Sequence, residues 1–318
     1  MPHLDTNPRL GYGLVITGAA LFIVNAGVSR VALRAGVDPT ILTTVRVTGA
    51  ALAFCLYAAV LRREALRPPR GRALAVLVAL GVVGVAGVSW TYNVAIDRIP
   101  VGIALLLEYL APVLVVLWAR YVQGARVHNR MWAAIGASLV GLALISQLWQ
   151  GLAFDGLGVA AGLAAAVCFA AYFLLGEAGV GNDDPVRVFL WSFVFAAVAM
   201  NLVRPIWTLD DVTGSTSLLG SLSSWSAPVW VLLAWIVLLG TVLPFFLELV
   251  ALQHLPASVV TVVATLEPVG ATVLGWAWFS ETLNAVQIVG GLIVLTGIGL
   301  AQSARVQPPR SAIPEVAG

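Results

Sequence analysis

Long apolar stretches separated by short polar connections run through the whole chain. Ten of them approach the length of about 20 residues that carries a helix across a bilayer. They fall at about 11–29, 40–61, 73–94, 100–119, 130–148, 156–176, 187–206, 229–251, 257–279 and 284–302. None alternates polar and apolar residues with a period of two, so the pattern predicts helices rather than the strands of a membrane barrel. Gly and Pro recur inside the runs. Neighbouring helices in lipid can satisfy the backbone groups that these residues disturb. The first run follows MPHLDTNPRL without a small-residue cleavage site and is read as a retained span.

The polar connections set an orientation. Arg62, Arg63, Arg67, Arg70 and Arg72 follow the second run, Arg120, Arg126 and Arg130 follow the fourth, and Arg305 and Arg310 lie in the tail. Asp97 with Arg98, Asp155, Asp210 with Asp211, and Glu281 mark the opposite side. Arginine excess belongs to the cytoplasmic side, which places both termini in the cytoplasm. The connection holding Glu177, Asp183, Asp184 and Arg187 runs against this bias, but acidic residues weigh little in the rule. The Ser-rich stretch 209–227 is the longest external connection and is expected to be flexible.

Composition strengthens the membrane reading. Only 10% of the 318 residues are charged and 60% are hydrophobic, whereas a soluble domain carries about 25% charged residues. The net charge is +2 and the basic side chains are Arg and His without Lys. With no basic patch interleaved with aromatics, nucleic acid is not an expected partner. Cys55 and Cys168 sit singly in apolar runs, and His3, His128 and His254 are scattered, so no metal or cofactor is expected. Nucleophile, zincin and phosphate-loop motifs are absent from the sequence, which reads as a non-enzyme lacking its own ATP machinery.

The chain repeats itself. AIDRIPVGIALLLEYLAPV at 95–113 resembles ALQHLPASVVTVVATLEPV at 251–269. Pro100 and Pro256 stand 156 residues apart, as do Pro112 and Pro268, Leu139 and Leu295, and Gly141 and Gly297. Asp38-Pro39 and Asp184-Pro185 match at an offset of 146. Five runs per copy is an odd number, so the second copy enters the membrane from the opposite side. The expected fold is an all-α polytopic membrane protein of ten transmembrane helices in two inverted five-helix repeats. Residues 1–150 would form the first repeat, 151–305 the second, and 306–318 a cytoplasmic tail. Inverted repeats of this kind place a substrate site near the midplane between halves.

LEPVGATVLGWAWFSETLNAVQIVGGLIVLTGIGL at 266–300 and DPTILTTVRVTGAALAF at 38–54 resemble the EamA family of the drug/metabolite transporter superfamily. Within it, IPVGIALLLEYLAPV at 99–113, VCFAAYFLLGE at 167–177 and LPFFLELVALQHLPASVV at 243–260 are most similar to threonine/homoserine exporters. The resemblance covers the chain apart from its tails and the Ser-rich stretch. It implies a ten-helix inverted-repeat fold, alternating access and export of small metabolites.

Ionisable groups within the spans are costly and mark candidate function. Glu108, one turn before Pro112, suits a substrate ammonium or a coupling proton. Glu267, before Pro268, suits substrate contact or a hinge, and the carbonyl freed by that proline is expected to find Thr265 or Glu267. Arg46 is expected to pair with Glu108 or Glu267, or to bind a substrate carboxylate. Asn25, Trp90, Tyr92, Asn93 and Tyr172 are expected around the same cavity. Glu248 is placed near the cytoplasmic end of its span as a gating or interfacial residue, with Pro112, Pro244 and Pro268 as gating prolines. Trp149, Trp207, Trp225 and Trp230 read as an interfacial belt. Gly81, Gly84, Gly87, Gly158, Gly162, Gly290 and Gly291 read as close-packing seams.

These features predict a bacterial inner-membrane exporter of amino acids or related amphipathic compounds, monomeric or homodimeric, with proton exchange as its coupling. Uptake or facilitated exchange is the alternative within transport. A lipid-handling protein or intramembrane enzyme is the alternative outside it.

Overall fold

The computed structural model describes residues 7–99, 101–145, 155–181, 183–209, 212–280 and 284–303. Pro100, Trp149, Asp210, Asp211, Glu281, Arg305, Arg310 and the 306–318 tail lie outside these residues, as does the side chain of Asp97.

Helix starts are written in local chemistry. In α1 (Pro8–Arg34), Asn7 accepts the Leu10 N–H at 3.2 Å and Pro8 opens the first turn. In α2 (Pro39–Leu61), Asp38 accepts the N–H groups of Thr40 and Ile41 at 2.9 and 3.0 Å. Both are N-caps ahead of a proline whose missing N–H costs nothing there. Next come α3 (Gly71–Ala79), a π-helical segment at Leu80–Gly87 and α4 (Val88–Arg98), which together make one apolar rod.

The stretch expected as a single helix at 100–119 is broken. It forms α5 (Val101–Glu108) and α6 (Ala111–Tyr121), with Pro112 in the first turn of α6. A proline cannot donate to the carbonyl four residues back, here that of Glu108, and its ring crowds it. After α7 (Asn129–Ile145), α8 (Gly156–Val180) opens on Asp155, which accepts the Gly158 N–H at 2.8 Å and pairs with Arg98 at 3.3 Å. The Gly158 N–H, ahead of the Arg98 charge, holds the Asp155 carboxyl below its ordinary range. Then follow α9 (Pro185–Val203), strands β1 (Ser215–Ser217) and β2 (Ser226–Pro228), α10 (Val229–Val237), a second π-helical segment at Leu238–Val242 and α11 (Leu243–Ala251). The last stretch comprises α12 (Ala257–Ala264), α13 (Leu266–Phe279) and α14 (Ala285–Ser303).

Seven helical rods among the described residues are long and apolar enough to cross a membrane, and α7 and α14 add two shorter apolar helices. The chain is thus a predominantly helical, multi-pass membrane protein. Helix α2 packs on α9, α7 on α14, α4 and the first π-helical segment on α8, α1 on α11, α5 on α8, and α1 on α13. Most of the seam glycines sit at tight crossings, where small residues let backbones approach. A Cβ on Gly81 would meet the Ser192 carbonyl at 2.2 Å, and one on Gly84 the Tyr172 Cα at 2.9 Å.

Residues 212–227 form a packed structure rather than a loose connection. Strands β1 and β2 pair antiparallel, Ser215 opposite Pro228. The turn between them docks on α13: Trp278 Nε1 donates to the Leu218 carbonyl at 3.0 Å, and Ser221 Oγ lies 3.1 and 3.0 Å from the Ala277 and Trp278 carbonyls. The reason is apolar content that the serines disguise. Val212, Leu218, Leu219 and Ala227 pack with Val28, Val31 and Leu232 in a core at this end of the bundle.

Candidate functional site

A cavity of about 810 Å³ lies among α1, α2, α4, α5, α8, α11 and α13. It reaches the surface at exposed Arg34 and Pro39, where α1 ends and α2 begins, and runs inward to fully buried Tyr172 and Glu248. Near the mouth, Arg30 stacks its guanidinium 4.4 Å over the Phe279 ring.

Asn25, Arg46, Tyr92, Asn93, Glu108, Tyr172, Glu248, Glu267 and Pro268 all line this cavity. Trp90 does not. It is 48% exposed, and the expectation that it faces the cavity is corrected. The reason is helical phase: Val88, Ser89, Tyr92 and Asn93 form the lining face, and Trp90 points away from it. Glu248 is also repositioned. The reading that set it toward an interface placed it by distance along the run, whereas its side chain is 1% exposed and turned into the cavity. Pro112 and Pro244 are buried in helix packing behind the wall.

Arg46 makes neither expected ion pair. Its Nε donates to Thr241 Oγ1 at 3.0 Å and its NH2 to the Gly240 carbonyl at 3.1 Å. Pro244 explains that acceptor, because it has no N–H to return to the carbonyl of residue 240. The π-helical segment turns Gly240 and Thr241 toward α2, and Thr241 donates on to Ile236 at 2.7 Å. Glu267 bears on Arg46 through space, beyond ion-pair reach. Arg98–Asp155 and Arg187–Asp183 form ion pairs away from the cavity.

Pro268 acts in the same way on the other wall. It leaves the Ala264 carbonyl without its helical donor, and the Tyr109 hydroxyl lies 3.4 Å from that oxygen. Neither Thr265 nor Glu267 takes the carbonyl; Thr265 Oγ1 donates to Val262 at 2.6 Å instead. Tyr109 also contacts the Glu267 carboxyl, and Tyr172 contacts that of Glu248. Tyr172 lies 3.4 Å from the Phe245 carbonyl. Asn93 is fixed by its amide donating to Thr43 Oγ1 at 2.9 Å. Glu108 has no hydrogen-bond partner among the described residues.

Sequence reasoning missed Tyr109 and Thr241, which organise the charged groups, and the rings of Phe22, Phe169 and Phe245. No signal marked the first two: Tyr109 answers a carbonyl that Pro268 frees on another helix, and Thr241 gains its role as the acceptor of Arg46 from α2.

The arrangement defines a class: a helical membrane protein with a chamber of about 810 Å³ whose polar groups converge from many helices. A profile of the EamA-like transporter family matches residues 9–147 and again 156–302, and the chain belongs to that family. It is similar to the threonine/homoserine exporter RhtA of Escherichia coli, 28% identical over 226 residues that make up 70% of each chain. An uncharacterised transporter of Archaeoglobus fulgidus is 27% identical over 255 residues, 79% of this chain and 81% of that one. A solved crystal structure matches with a TM-score of 0.75, covering 92% of this chain and 96% of the other. At 18% identity that likeness concerns the fold alone.

Proposed function

We propose that the protein is a secondary transporter exporting amino acids or related amphipathic compounds across a bacterial inner membrane by alternating access. In this reading α5 and α6 make one crossing, the crossings number ten, and residues 1–150 and 151–305 are inverted repeats with both termini cytoplasmic. The observation that carries it is the ownership of the chamber wall. Arg46 and Glu108 come from the first half, Glu248 and Glu267 from the second. Rocking the halves would therefore rebuild the site.

Packing supports the repeat. Exchanging the halves turns the pair α4–α8 into α11–α1 and α5–α8 into α12/α13–α1, and returns α2–α9 and α7–α14 to themselves. The two π-helical segments and the two proline-broken crossings also correspond. Glu248 with Pro112, Pro244 and Pro268 would serve gating, since broken helices offer the places to bend.

Proton exchange rests on charge balance. Three carboxyl groups face one guanidinium in the inner chamber, so the surplus needs protons or a bound cation. The similarity to RhtA makes threonine and homoserine the first compounds to test. Purified protein in liposomes should show counterflow of at least one labelled amino acid, accelerated by an imposed pH gradient. Glu108→Gln should slow it by about tenfold or more. Absence of counterflow across a full amino-acid panel overturns the reading, and a rate indifferent to pH gradient overturns the coupling. Inward labelling of both chain ends tests the crossing count.

A further inference from the structure

Two unlike charged groups in the chamber lining, Arg46 and Glu108, keep hydrogen-bonding capacity open. Arg46 spends Nε and one NH2 hydrogen on Thr241 and Gly240. Its NH1 has no partner among the described residues, yet it is not sealed in protein. The guanidinium is therefore held from behind and offers its outer edge to the chamber. A planar fork anchored in this way suits a carboxylate.

The carboxyl groups differ among themselves. Tyr109 meets Glu267 and Tyr172 meets Glu248. Glu108 is only 9% exposed, lines the chamber and has no hydrogen-bond partner among the described residues. Its oxygens, too, are not sealed in protein. A buried carboxyl group left open on one side is satisfied by a proton or by a ligand of opposite charge, and an ammonium supplies the second. Phe22, Phe169 and Phe245 give the same lining an apolar part.

We propose that the chamber binds a zwitterion in one fixed direction, its carboxylate on Arg46, its ammonium on Glu108 and its side chain against the phenylalanine rings. This rests on the transport reading above and adds polarity and selectivity to it. Compounds carrying only one of the two charges leave either Arg46 or Glu108 uncompensated and are rejected, because unpaired buried polar groups discriminate more strongly than a missing methylene.

The test pairs ligand chemistry with side-chain chemistry. Each of the twenty amino acids, its carboxamide and its N-acetyl derivative would compete in counterflow and in thermal-shift binding on the full-length protein. In the wild type, the carboxamide and the N-acetyl form of any bound amino acid should each bind about tenfold more weakly or worse. In Arg46→Gln the carboxamide penalty should disappear and the N-acetyl penalty should stay. In Glu108→Gln the pattern should reverse. If an amino acid binds and its carboxamide binds equally well in the wild type, the proposal fails while the transport reading stands. It fails equally if the carboxamide penalty survives Arg46→Gln, or if that variant removes the N-acetyl penalty instead. If none of the twenty binds, both fall together. Should Arg46→Gln not fold, Arg46→Lys keeps the charge without the fork. A carboxamide penalty undiminished in that variant also overturns the proposal, and a clearly reduced one supports it.

Discussion

Tyr109 shows how one side chain ties a helix break to a charged site. Its hydroxyl serves the Ala264 carbonyl that Pro268 strips of a donor, and it touches Glu267 beside that same proline. Hydrogen bonds between membrane helices contribute about 0.6 kcal/mol on average and up to about 1.7. Tyr109→Phe should therefore destabilise the detergent-solubilised protein by about 1 kcal/mol. Pro268→Ala restores an N–H to the Ala264 carbonyl, so the cost of Tyr109→Phe should shrink in that background. Additive losses of melting temperature in the four-protein cycle would refute the link. Arg46, Glu108 and Glu267 were legible in the sequence because they interrupt otherwise apolar runs; Glu248 stood out for the same reason but was set toward an interface, and Arg30 and Arg34, which also line the chamber, were passed over. Tyr109 and Thr241 were not legible, because a tyrosine or threonine within a span gains meaning only from its partner on another helix, the Ala264 carbonyl for Tyr109 and the Arg46 guanidinium for Thr241. Trp90 misled for a related reason: it lies two residues from Tyr92, and two residues turn a helix by about 200°.

At the scale of elements, existence and type followed the apolar pattern, whereas continuity did not. The stretch 100–119 has the length of a single helix, yet it divides ahead of Pro112. The 209–227 stretch failed in the opposite sense, since its serines hid an apolar spine that docks on α13. That docking has a sharp local requirement. Gly220 has φ +52°, and a Cβ there would meet the Trp278 carbonyl at 2.0 Å, whereas a Cβ on Gly214 would meet nothing within 4 Å. Gly220→Ala should cost about 1–3 kcal/mol of local stability. Faster amide exchange across 215–228 should report it, and Gly214→Ala should leave exchange unchanged. Equal exchange in the two variants would show that the turn does not grip α13. A pH effect belongs to the Asp155–Arg98 tie. Asp155 is held in its charged form by the Gly158 N–H and Arg98. Its contribution is complete above the ordinary carboxylate range and fades as pH falls through its depressed value. Exchange at the start of α8 should rise there, and Asp155→Asn should flatten the response.

In the proposed reading the whole molecule joins a repeated scaffold to chemical asymmetry. Repeat-related positions do not carry repeat-related charge: Ala264 stands 156 residues after Glu108, and Tyr92 stands 156 residues before Glu248. On that reading a repeated scaffold would hold a directional site, with the helices supplying the crossing geometry and each half supplying different side chains. The scaffold's own symmetry is open to measurement at the α7–α14 seam. A Cβ on Gly141 would lie 2.5 Å from the Gly290 carbonyl, and one on Gly297 would lie 2.8 Å from the Ala134 carbonyl. Gly297 and Gly290 lie 156 residues beyond Gly141 and Ala134, so the two contacts exchange under exchange of halves. Backbone cannot yield as a flexible side chain can, so overpacking here should cost about 1–3 kcal/mol. Gly141→Ala and Gly297→Ala should lower the melting temperature by similar amounts. Gly136→Ala and Gly299→Ala, where a Cβ meets nothing within 4 Å, should be tolerated on the same two helices. A large cost at Gly141 with none at Gly297 would mean that the seam is not related by a twofold axis, and the rocking of inverted halves would lose its pivot.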